Sequence, residues 1–174
     1  MNTRLTGADI RRLLGLLETE LALRDVVGEL YLVGGAVMCL VHDARDATRD
    51  VDAFFRPTAV IREAAARVAA RAGVPDTWLN DAVKGFLSPR GTFDPYLELP
   101  HLRVYVAEPH YLLAMKCAAM RLGEEFHDLD DVRYLLRYLD VSTAGEALSI
   151  VTRYFDEDQL APKTRLALEE LLGA

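Results

Sequence analysis

The stretch that decides the fold is Leu32-Val33-Gly34-Gly35-Ala36, which is followed along the chain by Thr48-Arg49-Asp50-Val51-Asp52. Residues 29–33 are β-prone and stop at the paired glycines, whereas residues 36–42 are apolar without a two-residue period. This pattern predicts a strand, a tight turn and a helix. Residues 50–55 have the length and composition of a second strand, which Pro57 ends.

Helical and extended patterns continue on both sides of this stretch. Thr6 and Asp9 have the spacing of a capping box, and apolar residues recur at helical spacing from Ile10 to Leu21, which predicts a first helix. Residues 58–72 predict a helix that stops at Gly73. Turn formers such as Pro95 make residues 73–100 irregular, with one short helix expected at 77–87. The remaining predicted elements are a third strand at 102–106 and helices at 110–122, 132–139, 144–155 and 163–172.

Composition limits the class of protein. The chain has 174 residues, 51% hydrophobic content and a net charge of −7, so we expect one domain over 1–174, with a core at 1–107 and a helical part at 108–174 packed on it. The acidic balance means that any polyanion must bind to a local basic patch. The two cysteines lie in apolar runs, and no apolar stretch reaches the roughly 20 residues that cross a bilayer. We therefore expect a soluble, cytoplasmic protein that does not bind a membrane.

The carboxylates Asp50 and Asp52 are candidate metal ligands. Two residues apart on a strand, their side chains leave the same face, while Val51 points into the core. Two crowded anions favour a cation between them, and hard oxygen ligands suit Mg²⁺, which takes its other ligands from water and substrate phosphates. The alternative is a solvated edge strand. Gly34-Gly35 allows backbone N–H groups to approach a triphosphate, but paired glycines also mark plain turns, and a dinucleotide fold would require Gly-x-Gly-x-x-Gly.

Further along the chain, Lys116 interrupts an otherwise apolar helix at 110–122. It either faces the core and binds an anion, or its stem lies along the helix and its ammonium reaches water. Asp128 and Asp131 share one helix face, where they are candidates for a site or for a first turn stabilised by the helix dipole. Trp78 is most simply a packing residue, although an aromatic beside polar groups can also stack on a base.

With these residues in place, the chain resembles the DNA polymerase β nucleotidyltransferase superfamily, and more narrowly the small bacterial AbiEii and MenT toxin-type transferases. The resemblance covers roughly residues 31–138. It rests on the two opening motifs and on a downstream run that comprises Leu113-Ala114-Met115-Lys116, Arg121 and His127-Asp128-Leu129-Asp130-Asp131-Val132. It implies an α/β (α+β) fold with a small mixed sheet, flanking helices and a mainly helical C-terminal half.

The resemblance also implies a function. The expected reaction is Mg²⁺-dependent transfer of a nucleoside monophosphate from a nucleoside triphosphate to an acceptor hydroxyl, in a toxin that acts on tRNA 3′ ends and has a cognate antitoxin. The implied catalytic residues are Asp50, Asp52, Lys116 and Asp131, with Asp50 and Asp52 binding the metal. The implied nucleotide-binding residues are Gly34, Gly35, Thr48, Arg49 and Lys116. Lys116 would lie near the phosphates, and Asp131 would support the site or polarise the acceptor.

The chain departs from the family in two places. Position 36 is Ala where family members often carry Ser or Thr, and the expected third carboxylate is absent from residues 102–106, which leaves Glu98, Glu108 or Asp131. The alternative enzymatic function is nucleotidylation of a protein or of an aminoglycoside-like small molecule. The alternative without turnover is an inactive module that binds a nucleotide or an antitoxin. Candidate basic residues for steering a nucleotide or binding tRNA are Arg45, Arg49, Lys84, Arg90, Arg103 and Arg121.

Overall fold

A computed structural model describes residues 3–120 and 128–173. These residues form two compact units. The sheet unit lies within residues 1–85 and 93–107, and the helical unit lies within residues 86–92 and 108–174. The predicted division at residue 107 therefore recurs, except that residues 86–92 belong with the helical unit. The expectation that the whole chain forms one domain stays a prediction.

Strands and helices are mixed before residue 107, and the elements after it are helical. In chain order they are β1 (Leu5–Thr6), α1 (Gly7–Leu23), β2 (Gly28–Val33), α2 (Gly35–Leu40), β3 (Ala47–Thr48), β4 (Val51–Arg56), α3 (Thr58–Ala72), β5 (Leu79–Asn80), a short 3₁₀ helix (Ala82–Phe86), β6 (Phe93–Leu99) and β7 (Leu102–Ala107). They continue with α4 (Pro109–Ala118), α5 (Asp128–Tyr138), α6 (Ala144–Val151), a second 3₁₀ helix (Glu157–Gln159) and α7 (Pro162–Leu172).

A mixed five-stranded sheet has the order β5-β4-β2-β7-β6, and β1 and β3 form a separate two-stranded pair. The β5–β4 and β2–β7 pairs are parallel, whereas the β4–β2 and β7–β6 pairs are antiparallel. The predicted α/β class with a small mixed sheet is confirmed. The polymerase β type of this fold stays a prediction.

Helices α1 and α3 cover one face of the sheet. Along β4, Val51, Ala53 and Phe55 are buried, while Asp52 and Phe54 point to the other face and are half-buried. Gly28 of β2 lies where a Cβ would touch Leu21 of α1 and Ile61 of α3, so both helices contact the sheet closely. The first-helix prediction is confirmed, because the apolar positions are buried and both hydrogen bonds of the Thr6–Asp9 capping box form.

Strand β6 was not predicted, because Pro95 was interpreted as a turn residue. The strand lies at the edge of the sheet, where a missing N–H is tolerated on the side that faces away from the partner strand. Its pairing with β7 also shifts register between Pro95 and Leu97. An edge strand with a bulge is thus compatible with a proline that would have broken a central strand.

The short helix predicted at 77–87 is wrong. Residues 79–80 form strand β5, which pairs in parallel with the start of β4, and only residues 82–86 are helical, as a 3₁₀ helix. The physical reason is a tertiary contact: the Val51 N–H donates a 2.6 Å hydrogen bond to the Trp78 carbonyl, which draws this segment to the sheet. Trp78 is 1% exposed, so its interpretation as a packing residue is confirmed.

Within the helical unit, α4 packs against α5 and α6, and α6 packs against α7. The predicted helices are all present, although α4 ends at Ala118 and α6 at Val151, earlier than expected. Leu122, the predicted end of the first of these helices, lies outside the described residues, as do Arg121 and His127.

Candidate active site

The sheet register brings the glycine turn beside Asp52. Val33, the last residue of β2, pairs with Asp52 across the antiparallel β2–β4 ladder, and Gly34 follows Val33 directly. A Cβ at Gly34 would lie 3.3 Å from Asp52 Oδ2, and the Gly34 φ of +69° is in the region that favours glycine. Any larger residue here would crowd the carboxylate and strain the backbone. The sequence predicted this juxtaposition through the order of its two motifs.

Gly35, the first residue of α2, accommodates two side chains of the chain itself. A Cβ at this buried position would lie 2.7 Å from Thr48 Oγ1 and would collide with the Arg45 guanidinium. The space that the missing side chain leaves is therefore used by Thr48 and Arg45. This contact was not predicted, and it places a cationic side chain next to the turn.

The Asp50 carboxylate lies just before β4 and is half-buried. Its Oδ2 accepts a 3.1 Å hydrogen bond from Asn80 Nδ2. Burial raises the pKa of Asp50 above its usual value, and the Asn80 hydrogen bond and the positive charge of Arg49 oppose that rise. The strand was predicted to include Asp50 and begins one residue later, but Val51 is fully buried between the two acids, as expected. The environment therefore disfavours the charged form unless a cation is nearby.

Thr48 and Arg49 differ in role. Thr48 is 6% exposed, and its hydroxyl donates a 3.3 Å hydrogen bond to the Asp50 carbonyl, so it holds the backbone that carries the carboxylates. Arg49 is exposed, and its effect on Asp50 is electrostatic. The hydroxyl of Thr48 is thus used inside the protein, whereas the Arg49 guanidinium is accessible to an anion.

Asn80 is the residue of this site that sequence analysis missed. It pairs with Asp52 in the β4–β5 ladder and donates the hydrogen bond to Asp50. The available signal was weak: Trp78-Leu79 is a β-prone pair, followed by the turn-forming pair Asn80-Asp81. A two-residue strand in a parallel pair depends on distant partners, which a local pattern does not reveal.

In the helical unit, Lys116 lies between two carboxylates. Its Nζ is 2.7 Å from Asp131 Oδ2 and 3.7 Å from Asp128 Oδ1. The exposed fractions are 9% for Lys116, 3% for Asp131 and 6% for Asp128, so the three charges are buried together. Of the two alternatives for Lys116, the core-facing one is confirmed. The anion that it contacts belongs to this chain.

Glu98 does not lie near the carboxylate pair. It pairs with Arg103, which pairs with Glu29, and Glu29 lies four residues before Val33 on β2. At the rise of a β-strand, four residues separate the row of Glu98 from the row of Asp52 by about 13 Å along the sheet. Glu98 is therefore excluded as the third carboxylate. Glu108 lies in the helical unit, where its Oε1 is 2.6 Å from His110 Nδ1.

Three of the basic candidates are in exposed ion pairs within their own units. Lys84 Nζ lies 3.3 Å from Asp81, the Arg90 guanidinium lies 2.9 Å from Asp156, and Arg103 Nε lies 3.8 Å from Glu98. Exposed pairs of this kind are weak, so they leave these side chains available to a stronger anion.

The oxygen donors of the sheet unit fit Mg²⁺ in chemical type. Asp50 and Asp52 supply carboxylates, and Gly34 leaves the space beside Asp52 free of a side chain. In residues 3–120 and 128–173 no group of three or more His, Cys, Asp or Glu side chains is arranged to hold a metal. A pair of carboxylates is the protein contribution expected where substrate phosphates and water complete the shell.

No protein-family model matches the chain, and no significant match to a curated protein or to a solved structure was found. Among the helices of the described residues, none is both long and apolar enough to cross a bilayer.

Proposed function

We propose that this protein is a Mg²⁺-dependent nucleotidyltransferase of the polymerase β type. The observation that carries the proposal is the position of Asp52, whose carboxylate lies against Gly34 at the start of the glycine turn, with Asp50 two residues before it. Carboxylates beside Gly34 would combine two features that suit a nucleoside triphosphate, a metal site and a neighbouring turn residue that carries no side chain.

In the proposed reaction, an acceptor hydroxyl attacks the α-phosphorus of the triphosphate, the bond to the bridging oxygen of the β-phosphate breaks, and pyrophosphate leaves. Asp50 and Asp52 would hold Mg²⁺, which would supply neutralising charge to the phosphate oxygens. Arg45 adds positive charge at the turn, and the exposed Arg49 is available to a phosphate. The resemblance also assigns Lys116 and Asp131 to the reaction, with Lys116 near the phosphates and Asp131 acting on the acceptor.

For the acceptor, the resemblance favours the 3′ end of tRNA, in a cytoplasmic toxin that a cognate antitoxin neutralises. Acceptors of other classes are a protein hydroxyl or an aminoglycoside-like small molecule. The net charge of −7 weakens the case for RNA, because an acidic protein requires a local basic surface to bind it.

The test is label transfer from each α-³²P nucleoside triphosphate in the presence of Mg²⁺ and total tRNA. Asp52→Asn is the inactive variant, and Glu98→Gln is the matched control because it removes a carboxylate of the same unit in a distant row. Label on tRNA with wild type and Glu98→Gln, but not with Asp52→Asn, supports the toxin. Label on protein indicates that the same site nucleotidylates a protein instead of tRNA. Nucleotide binding without label points to an inactive binding module.

A further inference from the structure

Asn80 contacts the carboxylate pair from strand β5. The β4–β5 register places Asn80 next to Asp52, and the Asn80 Nδ2 group donates a 3.1 Å hydrogen bond to Asp50 Oδ2. One residue thus lies beside both acids and binds one of them directly. The parallel pairing of β5 with β4 fixes this arrangement, because it determines which residue of β4 lies opposite Asn80.

The orientation of the Asn80 carboxamide is set by a second hydrogen bond. Its Oδ1 accepts from the Ala82 N–H at 3.3 Å, so the carbonyl side of the amide is directed toward the backbone of residue 82. The amide nitrogen consequently faces Asp50. A carboxylate in place of Asn80 would keep the acceptor for Ala82 and lose the donor for Asp50.

The backbone next to Asn80 is anchored in the core. The Trp78 carbonyl accepts from Val51 N–H at 2.6 Å, and the Trp78 indole N–H donates to the Ala65 carbonyl of α3 at 3.0 Å. Trp78 and Leu79 are 1% and 5% exposed. The amide is therefore carried by a buried, hydrogen-bonded segment, which limits its movement.

We propose that Asn80 is a positioning residue that orients the Asp50 carboxylate for a divalent cation. This inference rests on the proposed function. The hydrogen bond engages Oδ2 and restricts rotation of the carboxylate, and Oδ1 is the oxygen that would bind the cation. A neutral donor suits this role, since Arg or Lys at position 80 would neutralise Asp50 and compete with the metal. Partners of this kind orient ligating carboxylates in many metal sites.

The test is the dissociation constant for Mn²⁺, a paramagnetic substitute for Mg²⁺, measured by electron paramagnetic resonance on the full chain. Asn80→Ala removes the amide, and Asn80→Leu removes it while keeping a similar volume, so that one variant remains informative if the other unfolds. We expect both to bind Mn²⁺ about tenfold to 100-fold more weakly than wild type. Asp81→Asn, the neighbouring control, should stay within about twofold, because Asp81 pairs instead with Arg62 and Lys84.

The outcomes separate this inference from the proposed function. If Asp52→Asn abolishes Mn²⁺ binding while folded Asn80 variants bind as wild type does, Asn80 is not a positioning residue and the metal site stands. If wild type does not bind Mn²⁺, or if Asp52→Asn binds it equally well, both the metal site and the role of Asn80 are overturned. Thermal unfolding by circular dichroism identifies the variants that are folded.

Discussion

The two units differ in the side chains that contact their paired aspartates. In the helical unit, Asp128 and Asp131 are buried against Lys116, so the chain supplies its own cation. In the sheet unit, Asp50 and Asp52 are half-buried, and the hydrogen bond to Asp50 comes from the neutral amide of Asn80. The first arrangement places an ammonium group of the chain against both carboxylates, so losing that ammonium would leave buried charges without it. In the second, the side chain that binds Asp50 is a neutral amide, which suits a carboxylate that we propose as a cation ligand.

The largest effect on stability is expected for Lys116→Met. Removing the lysine leaves two buried carboxylates without their cation, so the free energy of unfolding should fall by about 3–5 kcal/mol in urea denaturation. Arg133→Met is the control, because Arg133 forms an exposed pair with Asp130 at 3.3 Å and its loss should change stability by less than about 1 kcal/mol. Similar small changes in both variants would contradict a stabilising role for Lys116.

A smaller effect is expected in the sheet unit for Gly35→Ala. The added methyl group would collide with Arg45 and crowd Thr48 at a buried position, which should reduce the free energy of unfolding by about 1–3 kcal/mol. Gly15→Ala is the matched control: Gly15 is exposed on α1, and a Cβ there meets no atom within 4 Å. That variant should be more stable than wild type by about 0.5–1 kcal/mol. Equal stability of the two variants would show that the space at Gly35 is not filled.

Each unit also contains a capping box that gives a matched pair of variants. Thr6→Ala removes the cap of α1 and Thr143→Ala removes the cap of α6, and each should lower the free energy of unfolding by about 1 kcal/mol. If the chain is a single cooperative domain, as the sequence predicts, both variants shift the same calorimetric transition. Two transitions, each shifted by only one variant, would contradict a single domain.

The smallest effect among the residues of the proposed site, a slight stabilisation, is expected for Asp50→Asn without metal. Burial raises the pKa of Asp50 in the folded state, so the folded state binds the proton more tightly than the unfolded state and wild type loses stability as pH rises above about 3.8. Asparagine carries no charge, so the variant should be slightly more stable than wild type at pH 7 and equal to it near pH 3. Urea denaturation at the two pH values measures the difference. A variant that is less stable at pH 7 would show that the carboxylate stabilises the fold.

Local patterns predicted the parts of the site that lie close together in the chain. The paired glycines and the two aspartates belong to a strand, turn, helix and strand that follow one another, so their order already placed Asp52 near Gly34. The Thr6–Asp9 capping box and the helix at 58–72 were predicted for the same reason. Each depends on neighbours within a few residues.

Contacts between distant residues were not predicted. Asn80 reaches Asp50 because β5 pairs with a strand about 30 residues earlier, and Arg45 reaches Gly35 through the packing of a loop. Pro95 was compatible with a strand only because that strand lies at the edge of the sheet. The packing of α4 against α5 likewise determines which anion Lys116 contacts. The sequence had identified both Lys116 and Asp131 as site candidates, but not their contact.

The most direct test of the central claim is binding of a non-hydrolysable nucleoside triphosphate by calorimetry, with and without Mg²⁺, because it does not depend on the acceptor. The account predicts Mg²⁺-dependent binding by wild type and Glu98→Gln and its loss in Asp52→Asn. Binding that is equal in Asp52→Asn, or that does not require Mg²⁺, would contradict the assignment of Asp50 and Asp52 as the metal site of a nucleotidyltransferase.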